Sequence, residues 1–310
     1  MPDVKRAGRR LRDAIELQFK DLPKAERHSR AVQMIASHRS EEVNLDDCLV
    51  IVDRDRLLSV LLLVRQTDGT IYVWPAISAS GVPIEQAQVH RRLLYLEAAT
   101  VVDRDAWIGQ TLLGLDEADE SDALAANGFP RLTNLIFMNR PLDEPPPPLD
   151  PQPGWRALQF DADSNAAVFE HTIARTYVGT LDCPELNGCR TGAESLAGHR
   201  LAGTFSSDRW HVFLIDDAPV GILLLTDHGD ERVQEVVYFG IVPEHRGQGI
   251  GRRLILEGLH RASRDGALEM VLAVDVRNAP AISLYESLGF QEFDRRTVHA
   301  HELWAAHLST

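Results

Sequence analysis

The stretch from Val233 to Leu259 constrains this chain more than any other. A β-branched and aromatic run, Val233 to Val242, passes through Pro243-Glu244-His245-Arg246-Gly247-Gln248-Gly249-Ile250-Gly251-Arg252-Arg253 into an amphipathic helix, Leu254-Ile255-Leu256-Glu257-Gly258-Leu259. Closely spaced glycines between a strand and a helix let backbone N–H groups converge on an anion. At a helix N-terminus the unpaired donors and the macrodipole both favour negative charge. The segment therefore predicts an α/β fold with a phosphorylated ligand at this junction. Its spacing is neither that of a P-loop, G-x-x-x-x-G-K-[ST], nor that of a dinucleotide turn, G-x-G-x-x-G. What stands here is Arg246-x-x-Gly249-x-Gly251.

A second strand-like run, Glu269 to Val276, follows, and then Asn278-Ala279-Pro280-Ala281-Ile282-Ser283-Leu284-Tyr285-Glu286-Ser287-Leu288-Gly289-Phe290. Pro280 suits the first turn of a helix, Ile282, Tyr285 and Leu288 share one face, and Gly289 is a C-terminal stop. The two segments resemble, in order, the acetyl-CoA signature R/Q-x-x-G-x-G/A and the motif N-x-x-A-x-x-L-Y-x-x-x-G-F of the GNAT superfamily of N-acetyltransferases.

That resemblance implies a mixed twisted sheet flanked by helices, acetyl-CoA as acyl donor, and direct acetyl transfer to a primary amine in a ternary complex. It implies that Arg246, Gly247, Gln248, Gly249, Ile250, Gly251 and Arg252 hold the pyrophosphate. Gly240, Ile241 and Val242 would pair their backbone with the pantetheine arm, and Asn278 would touch the cofactor from the neighbouring strand end. Glu235 matches the place of a catalytic glutamate, acting as base directly or through water. Tyr285 matches the tyrosine that protonates the departing thiolate. The acceptor would be a small-molecule amine or a peptide N-terminus. The other reading is a regulatory module that binds acyl-CoA without turnover.

At 310 residues with 44% hydrophobic content, two domains are expected. The proline-dense stretch 141–153 reads as a semi-rigid linker, dividing a first domain (1–140) from a catalytic one (154–310). Downstream the pattern predicts a strand at 155–160, a helix at 166–177, a polar loop at 178–192, a helix at 194–204, strands at 210–216 and 220–226, and a last strand or strand pair over 291–303. The loop region commonly shapes the acceptor site in the superfamily. Its Asp182, Glu185 and Asn187, with Tyr177 just before it, are candidates to read an amine.

Upstream, strands at 48–52, 57–64 and 71–77 and a helix at 84–101 echo this plan. Arg91-Arg92-Leu93-Leu94 stands 161 residues before Arg252-Arg253-Leu254-Ile255, and Gly128-Phe129 stands 161 before Gly289-Phe290. The shared spacing points to an internal duplication. In the first copy Gln88 and His90 replace Gly249 and Gly251, Leu124 replaces Tyr285, and Trp74 replaces Glu235. The first half therefore reads as a degenerate GNAT-like domain, which leaves one active site per chain.

A net charge of -14 argues against nonspecific nucleic-acid binding. The chain has no long apolar run and no apolar stretch behind its basic N-terminus, so neither a membrane span nor a signal peptide is expected, and the location reads as cytoplasmic. Cys48, Cys183 and Cys189 fit a reducing compartment, and the Cys183–Cys189 spacing is poor for zinc, so no metal is expected. His299 and His301 are expected on one strand face, at the surface or the rim of the site.

Overall fold

The computed structural model describes residues 3–105, 108–144, 146–188, 190–228 and 232–301. The chain forms two compact units, one of residues up to Leu132 together with those from Thr297, the other of Thr133–Arg296.

The first unit contains β1 (Val4–Arg6), α1 (Leu11–Gln18), α2 (Lys24–Arg39), β2 (Val43–Asn44), β3 (Leu49–Asp53), β4 (Arg56–Leu61), β5 (Leu63–Gln66), β6 (Thr70–Val73), β7 (Ile77–Ser78), α3 (Ile84–Asp105), β8 (Ile108–Gly114) and α4 (Ala118–Ala125). Strands β1, β3, β4 and β7 form one sheet, and β2, β5, β6 and β8 are neighbours in another. Alternation along the strands buries both faces. Leu49, Ile51, Leu61 and Leu63 pack with Leu94, Tyr95 and Ala98 of α3, whereas Val50, Val60 and Leu62 pack with Ala14, Ile15 and Ala31 of α1 and α2.

The second unit takes in most of β9 (Arg131–Pro141), then β10 (Trp155–Gln159), α5 (Ala166–Tyr177), α6 (Gly192–His199), β11 (Trp210–Ile215), β12 (Ala218–Asp227), β13 (Val233–Ile241), α7 (Ile250–Arg264), β14 (Glu269–Asp275), α8 (Ala279–Ser287) and the start of β15 (Gln291–Ala300). Its sheet runs β10-β11-β12-β13-β14-β9-β15. Again alternate residues choose alternate layers. Leu223 and Leu225 pack with Leu254, Ile255 and Leu259 of α7, while Ile222 and Leu224 pack with Phe169 and Ile173 of α5. Burying each such leucine contributes roughly 2 kcal/mol. Gly258 is where α7 comes closest to the sheet, since a β-carbon there would lie 2.8 Å from Leu223 Cδ2.

Three features depart from the sequence pattern. No strand is expected over 131–141, yet β9 pairs antiparallel with all of β14, from Glu269 opposite Pro141 to Asp275 opposite Leu135. This ladder gives β14 a partner on an edge that would otherwise be open. Second, the proline-rich stretch read as a linker lies within the second unit. Leu142 is buried and Leu149 packs on the same core, Arg253 Nη1 donates to Asp150 O at 2.6 Å, and His260 Nε2 lies 2.9 Å from Pro147 O. Third, His299 is fully buried rather than at a surface or rim. Its Nδ1 lies 2.8 Å from Phe129 O and its Nε2 2.8 Å from Ser121 Oγ, so both ring nitrogens are satisfied inside the first unit. The last strand ends at Ala300, and residues 302–303 of the expected strand lie outside the described residues.

Candidate active site

Strands β13 and β14 begin as a parallel pair and then part. The ladder runs from Val233 opposite Glu269 to Val236 opposite Leu272 and stops there, although β13 continues to Ile241 and β14 to Asp275. On its other edge β13 stays paired with β12 as far as Ile241 opposite Gly221. The register shifts between Leu224, opposite Tyr238, and Leu225, opposite Val236. The extra residue, Val237, makes a bulge, which adds twist and turns the end of β13 away from β14. Beyond Val236 and Leu272 the two strands no longer pair with each other, and the edge of β13 that faced β14 can pair with an extended ligand. Gly240 and Ile241 stand on this part of β13. Val242, by contrast, donates its N–H to Val220 O at 3.1 Å.

Gly240 also sets how close α5 comes, since a β-carbon there would lie 2.6 Å from Thr176 Cβ. At the mouth of the split lies the glycine turn. Gly247 and Gly249 have φ of 72° and 78°, a region costly for other residues. Gly251 is small for a different reason: a β-carbon would lie 3.3 Å from Phe239 Cζ and 3.4 Å from Leu284 Cδ2. Gly249 is the N-cap of α7, with no side-chain cap and no acidic residue in the first turn. Ile250, Gly251 and Arg252 therefore present helix-start N–H groups beside the exposed residues 246–249.

The Arg246 side chain fastens the turn. Its guanidinium donates to Ile241 O at 3.0 Å, Gly179 O at 3.1 Å and Thr176 O at 2.8 Å. Gln248 Nε2 donates to Glu244 O at 2.8 Å, and Arg252 Nη1 to Ser287 Oγ of α8 at 2.9 Å. Asn278 caps α8 by accepting from Ala281 N at 3.4 Å.

Tyr285 is almost fully buried in α8. Its ring meets Phe239 of β13 at 6.3 Å and Phe290 at 5.7 Å between centroids. Burial first, and then the Asp182 charge, push its hydroxyl well above the usual phenol value, so it stays protonated at neutral pH. Glu235 lies on the paired part of β13, opposite Val271. Its Oε2 lies 2.5 Å from His228 Nε2, and the two side chains are 29% and 40% exposed, which leaves water access. Glu235 is four residues before Phe239, about 13 Å along an extended strand. The structure thus separates the two candidate proton carriers along β13.

The loop after α5 folds onto the end of β14. Asp275 N donates to Asp182 Oδ1 at 2.9 Å, and Cys183 N donates back to Asp275 Oδ2 at 3.1 Å. Thr133 Oγ1 donates to Asp275 Oδ1 at 2.8 Å. The Arg277 guanidinium bridges Asp275 and Glu185. Burial raises the Asp275 carboxyl, but the Arg277, Thr133 and Cys183 donors outweigh it and hold the group below the usual value. Asp182, Cys183 and Asp275 lie within 4.8 Å of one another, and the cation this cluster holds is Arg277. Burial, followed by the Asp182 and Asp275 charges, pushes the Cys183 thiol far up and keeps it protonated. Cys189 lies outside the described residues.

Asp182 is exposed at the surface, with its carboxyl held against the backbone at the end of β14. Desolvation of the carboxyl there, with Asp275 adjacent, pushes it up to about 6. The aromatic groups beside the loop are Tyr177, Tyr238 and His199, with ring centroids 5.3 and 5.0 Å from the Tyr238 ring. Tyr238 Oη lies 2.7 Å from Thr176 Oγ1. The composition of the loop marks it as polar, but nothing in the sequence singles out the Asp182–Asp275 clasp, whose members are 93 residues apart.

Residues 183–290 match the family model described as acetyltransferase (GNAT) family. Among curated proteins, a mycothiol acetyltransferase of Thermomonospora curvata is 32% identical over 185 residues, which cover 57% of this chain and 58% of that protein. Another, of Corynebacterium efficiens, is 29% identical over 163 residues, 46% of this chain and 55% of that one. The chain thus spans little more than half the length of the curated relatives it matches. Among solved structures, a GCN5-related N-acetyltransferase from Sphaerobacter thermophilus is 15% identical, with a TM-score of 0.63 over 97% of this chain and 95% of that one. At that identity the likeness is one of fold.

Proposed function

We propose that the chain is an acetyl-CoA-dependent N-acetyltransferase acting on a primary amine, with its one active site in the second unit. The observation that carries this reading is the split between β13 and β14 opening beside an uncapped glycine turn. The split offers strand edges to a pantetheine arm, and the turn offers N–H groups to its pyrophosphate. Gly247, Gly249 and Gly251 with the N–H groups of 250–252 would hold the phosphates. Arg246 would act mainly by fixing the turn, since its donors already serve three carbonyls. Gly240 and Ile241 would align the thioester.

In this reading the acceptor nitrogen forms its bond to the acetyl carbon as the carbon–sulfur bond breaks. Glu235 takes the amine's proton through water, as its distance along β13 requires. Tyr285 gives its proton to the thiolate. The protonated Cys183 thiol makes an acetyl-cysteine intermediate unnecessary and unfavoured. The acceptor class is a small-molecule amine or a peptide N-terminus, and because the relatives are named mycothiol acetyltransferase, mycothiol-related amines are the first to try. No helix among the described residues is long and apolar enough to cross a membrane, and we read the protein as cytoplasmic.

The test is release of CoA thiol from acetyl-CoA against a panel of primary amines. Acceptor-dependent release is expected. Tight acetyl-CoA binding with no release from any amine would replace this reading with that of a regulatory acyl-CoA-binding module.

A further inference from the structure

The Asp182 carboxylate has one oxygen committed and one open. Its Oδ1 accepts from Asp275 N, and among the described residues Oδ2 has no donor. The neighbouring carboxylates are already neutralised, because Arg277 pairs with both Asp275 and Glu185. Among the described residues Asp182 has no ion pair of its own, and its bond to Asp275 N fixes it at the end of β14, beyond the point where β13 and β14 cease to pair. Its charge reaches the hydroxyls of Tyr285 on α8, Tyr238 on β13 and Tyr177 on α5, raising each after burial has done so. Glu235, by contrast, is paired with His228 and lies farther back on β13.

We propose that Asp182 binds the acceptor's ammonium group directly, so that the site selects acceptors that arrive as alkylammonium cations. The Asp275–Arg277–Glu185 group acts through the loop and positions Asp182. This inference rests on the acetyltransferase reading and deepens it. Its consequence for pH has a definite sign. Asp182 must be ionised to hold the cation, so acceptor capture is lost as pH falls through about 6. The charged groups around it are Asp275 and Arg277 from the end of β14 and Glu185 from its own loop, and the neutral titratable ones are the Cys183 thiol and the three tyrosine hydroxyls.

The experiment compares wild type with Asp182→Asn, which keeps an oxygen for Asp275 N, using primary alkylamines and a weakly basic aromatic amine that is neutral at pH 7.5. For alkylamines, the acceptor KM should rise about tenfold or more, the scale of a lost charge-assisted hydrogen bond, with acetyl-CoA KM unchanged. The fall of kcat/KM below pH 6 should flatten in the variant, and the aromatic amine should show no penalty. A wild-type acceptor KM and pH profile in Asp182→Asn, or an equal penalty with the neutral amine, overturns the assignment and leaves the acetyltransferase reading standing. If wild type releases no thiol with any amine, both fall together.

Discussion

The two units handle the same junction in opposite ways. In the second, the β12–β13 hairpin leads through a glycine turn into α7, and β14 returns parallel to β13. In the first, the β5–β6 hairpin leads into α3, and β8 returns parallel to β6 from Thr70 opposite Ile108. The spacing of 161 residues aligns the start of α7 with Val89, yet α3 begins at Ile84. Helix fills the positions that form the cradle in the other unit, so Gln88 and His90 are not turn residues at all. His90 is buried, 2.8 Å from Ser59 Oγ. The nearby cleft, about 390 Å³, is lined by Arg91 and by Asp116, Glu117, Asp119 and Glu120, a charge that repels phosphate. Leu124, in the place of Tyr285, is a fully buried core residue. At the positions that match the turn, the first unit thus has helix, with acidic side chains nearby.

The largest effect should come from breaking the cradle in one unit and its counterpart in the other. Gly249→Glu puts a side chain at φ 78° and a negative charge among the N–H donors. Acetyl-CoA affinity measured by titration calorimetry should fall on the order of 100-fold or more. Gln88→Glu, on an exposed face of α3, should leave affinity and a stoichiometry of one per chain unchanged. A second binding event in wild type would end the claim that the first unit has lost its site.

Next is Tyr285→Phe, expected to lower kcat on the order of 100-fold with acetyl-CoA binding intact. The Tyr285 hydroxyl makes no hydrogen bond among the described residues, so thermal stability should barely change. A full rate in this variant across pH would remove Tyr285 from the chemistry and make it a packing residue like Leu124.

Each unit also buries a neutral histidine. Burial, then the Arg261 charge, lowers His211 to about 4, and burial lowers His90. A depressed histidine contributes stability above its unfolded value, near 6.5, and that stability is lost as pH falls toward the folded value. Between pH 6.5 and 4, His211 should cost about 3 kcal/mol at most. His211→Gln should flatten this part of the stability profile in denaturant unfolding.

The smallest effect concerns the two described thiols. Burial pushes Cys48 up to about 12 and Cys183 higher still. Iodoacetamide at pH 8 should label both slowly in the folded protein and quickly in urea. Rapid labelling of Cys183 alone would show that its loop opens.

Much of the second unit was legible because its signals are local. The strand at 233–242, the turn, α7 and α8 depend on glycine φ values, helix capping and apolar periodicity within short windows. The long-range pieces were not. Strand β9 precedes the proline-rich stretch in sequence but completes the second sheet, and His299 comes late in the chain yet is buried in the first unit beside Phe129. Both placements depend on pairing between segments that periodicity cannot match.

By itself the sequence determined a glycine turn at a strand–helix junction, followed by a tyrosine-bearing helix, in the second half of the chain. Only the tertiary structure decided what surrounds that turn. It turned the end of β13 away from β14, committed Arg246 to three carbonyls, ran α3 over the positions that match the turn, and set Asp182 against Asp275 with one oxygen open. The physical reason is that glycine conformation and helix-end polarity are local properties of the backbone, whereas strand splay, ion pairing and desolvation arise only when distant segments share the same space.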